Sequence, residues 1–181
     1  MRLDPKLEKP TRDLLSHVIR GEWEEFGKVA TAIPEERLAE CVSLCLRIAG
    51  YIAIDVCGQV WPSEADLREI AQRMASMEDM EYDLNEEDIF ACLSRSALGF
   101  EPLIDVFTDT QKMVGVPFTA TATLLVAYRP DGTDWWDYLE QIEQALEIAT
   151  DLPEAVVPAL LLLTRRQRAL KSGTAHPNAD E

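Results

Sequence analysis

The stretch CVSLCLRIAGYIAIDVCGQVW, residues 41–61, constrains the fold more than any other. With the residues before it, its apolar positions Leu38, Val42, Cys45, Ala49, Ile52 and Val56 recur at spacings of three and four, the period of an α-helix. Much of the opposite face is apolar as well, so such a helix must be covered on most sides. A bilayer could cover it, but Arg47 and Asp55 interrupt the run and would be costly at mid-membrane. The reading is a buried central helix from about Pro34 to Cys57, ended by Gly58, with other helices packed around it.

The rest of the chain supplies those helices. Leu14, Leu15, Val18 and Ile19 mark one from about Thr11 to Arg20, after which Gly21 marks a break or kink; Trp23, Phe26, Val29 and Ala30 mark another from Glu22 to about Thr31. Ser63, with Asp66 three residues on, forms a short capping box for a helix reaching about Met77. Asn85 caps a further helix carrying Ile89, Phe90, Leu93 and Leu98. Residues 101–114 suggest another. In PFTATATLLVAY, residues 117–128, the β-branched residues favour a strand locally. A lone strand has nowhere to pair, so helix is preferred. After the RPDG turn at 129–132, Trp135, Leu139, Ile142, Leu146 and Ala149 stripe a helix from about Asp134 to Ala149 and leave Asp137, Glu140, Glu143 and Glu147 mostly outside the stripe. Asp151 and Glu154 open a last helix containing VVPALLLL, residues 156–163. The expected fold is all-α: a single-domain irregular helical bundle of about eight or nine helices. Residues 1–10 form a loosely ordered arm, 11–171 the domain, and 172–181 a disordered tail.

With 181 residues, 47% of them apolar, one such core is within reach. The N-terminal MRLDPKLEKPTRD has no apolar leader, and Cys41, Cys45, Cys57 and Cys92 lack a secretory context. They read as reduced core thiols of a cytoplasmic protein, with no ligand-like spacing to His17 or His176. The formal charge is −16 and is uneven. Residues 64–109 hold thirteen acids against three bases, which repels phosphate backbones and anionic membranes alike. Direct nucleic-acid binding and membrane association are not expected. The one basic cluster, Arg165, Arg166, Arg168 and Lys171, reads as charge complementing a helix end.

Seven of the eleven side chains in EDMEYDLNEED, residues 78–88, are carboxylates. A calcium loop starting at Asp79 would need glycine sixth and glutamate twelfth; the chain offers Leu84 and Phe90. A helix start explains Asn85 as cap, Glu86, Glu87 and Asp88 as first-turn anions, and Leu84 as a staple against Ile89. Glu78, Asp79, Glu81 and Asp83 remain as surplus charge beside Tyr82, and these five are the candidate contacts for a basic protein partner. No nucleophile elbow, phosphate loop or Rossmann fingerprint occurs, and no cofactor or metal is implied. The preferred function is a non-catalytic interaction or regulatory module, as an immunity protein or inhibitor might be. The alternatives are a magnesium-dependent all-α nucleotide hydrolase and an obligate homo-oligomer, such as a homodimer, joined through 156–163. Arg47, Tyr51 and Asp55, at i, i+4 and i+8, read as a hydrogen-bonded set fixing the central helix. Of Trp135 and Trp136, one should be core and the other partly exposed, packed under the RPDG turn.

Overall fold

A computed structural model describes residues 5–58, 61–77, 84–98, 107 and 109–150. These residues form seven helices and no strand: α1 (Pro5–Ile19), α2 (Trp23–Ala32), α3 (Glu35–Val56), α4 (Glu64–Ala75), α5 (Glu86–Leu98), α6 (Thr110–Ala127) and α7 (Trp135–Thr150). They share one hydrophobic core. Helix α3 is central, packing against α1, α5, α6 and α7, and α4 lies along α5. Cys41, Cys45, Ile48, Ala49, Ile52 and Ala53 of α3 are fully buried, as its two-sided apolar pattern requires. None of the described helices is long and apolar enough to cross a membrane.

Local chemistry sets the helix ends. Helix α1 closes in a Schellman turn, with Gly21 at φ 69. There the Glu22 N–H donates to the His17 carbonyl at 2.9 Å and the Gly21 N–H to that of Val18 at 3.1 Å. The Ser63 hydroxyl accepts from the Asp66 N–H at 3.3 Å while Asp66 accepts from the Ser63 N–H at 2.8 Å, a complete capping box. At the start of α5, Asn85 accepts from the Asp88 N–H at 2.8 Å. Asp88 accepts in return from the Asn85 side-chain amide at 2.9 Å, and Leu84 and Ile89 are buried together in the core.

The structure corrects the helix inventory. Seven helices are present among the described residues instead of eight or nine, and α1 begins at Pro5 instead of Thr11. Pro10 lies inside α1 and removes one intrahelical N–H donor, which a helix anchored by buried Leu14 and Leu15 tolerates. Residues 110–114 share one helix with 117–127, since α6 runs unbroken from Thr110 through Pro117 to Ala127, while 101–106 lie outside the described residues. Its threonines fit a helix because their hydroxyls find carbonyls: Thr119 donates to Gly115 at 2.8 Å, Thr123 to Thr119 at 2.8 Å, and Thr121 across to Cys45 at 3.1 Å. The expected helix after Asp151 and the tail at 172–181 lie outside the described residues.

Candidate interaction surface

The sequence places the candidate contacts Glu78, Asp79, Glu81, Tyr82 and Asp83 between α4 and α5, and all five lie outside the described residues. Their flanks are described. Met77, just after α4, is exposed, and Leu84, just before α5, is buried. On α4, Glu64, Asp66 and Glu69 stand exposed, as does Glu87 on α5. The nearby cations pair locally. Arg73 bonds Glu69 one turn away. Arg68 reaches Glu64 at 3.2 Å and Glu87 at 3.8 Å while lying 3.9 Å over the Phe90 ring, which ties α4 to α5. Lys112 of α6 meets Asp88 at 2.8 Å, clamping the first turn of α5 to that of α6. Its two hydrogen bonds to Ser63 hold the Asp66 carboxyl below the usual range.

A second charged cluster was not expected from the sequence. Glu143 of α7, assigned to the solvent side of its stripe, is buried, with its side chain 4% exposed. The Arg12 Nε donates to its two oxygens at 3.1 and 2.9 Å, and a second guanidinium nitrogen bonds Oε2. Arg12 also meets Glu8 at 2.8 Å, and its guanidinium lies 5.2 Å from the centre of the Trp136 ring. Trp135 packs half-buried against the core while Trp136 is 39% exposed, as adjacent helical positions dictate; Arg12 of α1 covers the exposed ring. Hydrogen bonding to Glu143 raises the Arg12 pKa. Burial pushes the Glu143 carboxyl up, outweighing the pull of Arg12. The signal for Glu143 was in the spacing: it lies four residues after Leu139 and three before Leu146, both buried.

Arg47 is exposed and Tyr51 buried, while Asp55 accepts from the Tyr138 hydroxyl at 3.2 Å and so links α3 to α7. Cys41, Cys45 and Cys92 are buried and Cys57 half-buried. Burial raises the thiols of Cys41, Cys57 and, most strongly, Cys45, which keeps them protonated and poorly nucleophilic. Among the described residues, no three of the His, Cys, Asp and Glu side chains come together as metal ligands would.

A third feature is apolar. An open groove of about 420 Å3 runs between α2, the start of α3 and the start of α6, lined by Trp23, Phe26, Ala30, Leu38, Val114 and Gly115 among others. No residue of α2 is fully buried. The helix is held by Trp23 edge-on to Phe26 at 6.0 Å and Phe26 edge-on to Phe118 of α6 at 5.7 Å. No family model, curated protein or solved structure matches this chain.

Proposed function

We propose that the chain is a protein-interaction module that engages a basic partner through the acidic surface at the α4–α5 junction, with Glu78, Asp79, Glu81, Tyr82 and Asp83 as its centre. What supports the reading is the setting of that junction. Glu64, Asp66, Glu69 and Glu87 stand exposed on the two helices it joins, four acids against the two cations Arg68 and Arg73 that pair with three of them. The sequence joining these helices contributes four further acids, Glu78, Asp79, Glu81 and Asp83. Several like charges on one outward surface steer a cationic partner and fix its orientation, whereas carboxylates that do chemistry converge. The buried Glu143 is already engaged in a pair with Arg12.

The test is charge reversal. The variant Glu78→Lys, Asp79→Lys, Glu81→Lys, Asp83→Lys is used as bait beside the wild type in extracts of the native host. A basic protein retained by the wild type and lost by the variant is the expected result. Equal recovery by both would defeat the proposal.

A further inference from the structure

The groove beside α2 has the character of a site for a chain segment. It is open and apolar, and α2 leaves its own Trp23, Phe26, Val29 and Ala30 only half-covered. Its size falls within the range of about 300–1,000 Å3 typical of binding clefts. Its surroundings are acidic. Residues 22–40 hold Glu22, Glu24, Glu25, Glu35, Glu36 and Glu40 against Lys28 and Arg37. On the helical wheel Glu24 and Glu35 flank the groove-lining positions of α2 and α3, and both are exposed; Lys28 pairs with Glu24 at 2.9 Å and Glu25 at 2.8 Å, which leaves a net excess of glutamates along this edge.

The sequence carries a segment with the complementary chemistry. Residues 156–171 read VVPALLLLTRRQRALK: eight residues without a polar side chain, then four cations within seven positions. An apolar run of that length needs cover, and a cationic cluster beside it favours an acidic rim. We infer that the groove between α2, α3 and α6 receives residues 156–164 of the same chain, with Arg165, Arg166 and Arg168 meeting the glutamates of α2 and α3. The covalent connection favours this occupant over any free partner. A tethered segment meets its site at an effective concentration in the mM range when the linker spans the distance. The inference is independent of the acidic junction proposed above, because the two surfaces share no residue.

The full-length chain tests it. A p-benzoylphenylalanine is placed at position 31, where the exposed Thr31 lines the groove. After irradiation of the monomer, peptide mapping should find cross-links within one chain to residues 156–164. Gly27→Phe should reduce those cross-links severalfold: a Cβ at Gly27 meets no atom within 4 Å, so the ring enters the groove without disturbing the helix. Unchanged helicity by circular dichroism separates blocking from unfolding. The triple change Arg165→Glu, Arg166→Glu, Arg168→Glu should also lower the yield. Three outcomes would each overturn the inference: cross-links only between two chains, which would assign the groove to a second copy; cross-links that avoid 156–164; or a yield indifferent to Gly27→Phe.

Discussion

Replacing Arg12 by methionine removes the donors that hold Glu143 and leaves a carboxylate in the core. The Glu143 side chain is 4% exposed, and both of its oxygens accept from Arg12. Breaking a buried pair from the arginine side should cost about 3–5 kcal/mol, because the stranded charge keeps its desolvation penalty. The reverse change is milder. In Glu143→Leu, Arg12 keeps Glu8 at 2.8 Å and the face of Trp136, and its side chain is 18% exposed, so the loss should be about 1 kcal/mol. The double variant Arg12→Met, Glu143→Leu removes both charges together and should return to within about 1 kcal/mol of the wild type. Urea unfolding followed by circular dichroism reads all three. With a slope of about 1–3 kcal/mol per molar, Arg12→Met should move the midpoint down by roughly 2 M. Equal costs for the two single changes, summing in the double, would show that the pair is neither buried nor coupled.

Burial holds the Glu143 pKa above its ordinary 4.5, against Arg12 and with Glu8 and Glu140 pushing the same way as burial. The folded chain therefore binds more proton than the unfolded chain from about 4.5 up through the folded-state pKa, and the group's contribution to stability rises as pH falls through that window. Wild type should gain on Glu143→Gln in chemical denaturation as the buffer is acidified towards 4.5, and a widening deficit would mean that hydrogen bonding to Arg12 outweighs burial. Two glycines should answer oppositely to alanine. Gly27→Ala, in open space within α2, should raise stability by about 0.5–1 kcal/mol, whereas Gly132→Ala, at φ 75, should lower it by about 1 kcal/mol in thermal melts.

Local signals in the sequence proved reliable where a short motif determines the outcome. The Ser63–Asp66 box and the Asn85 cap were legible because their partners lie three residues apart, and the α3 pattern showed that this helix must be central. Long-range partners leave no such trace. Glu143 meets a residue 131 positions away, so its burial could be read only as an acid falling among Leu139, Ile142 and Leu146. Helix α6 defied its local preferences. Its threonines look like strand and Pro117 like a start, but each hydroxyl is satisfied within a helix or by Cys45 of α3, a fact of tertiary packing. The groove was illegible for a similar reason. The half-exposed face of α2 has the same apolar spacing as a buried one, and only the arrangement of α3 and α6 leaves it open.

The proposed interaction role requires that the exposed carboxylates around the α4–α5 junction hold no ion. Calorimetric titration of the full-length protein with Mg2+ and Mn2+ addresses that directly. Heats no larger than those of dilution and weak surface screening are expected. A saturable isotherm at a stoichiometric site, with a dissociation constant on the order of 1 mM or tighter, would contradict that role and move the chain towards metal-dependent chemistry.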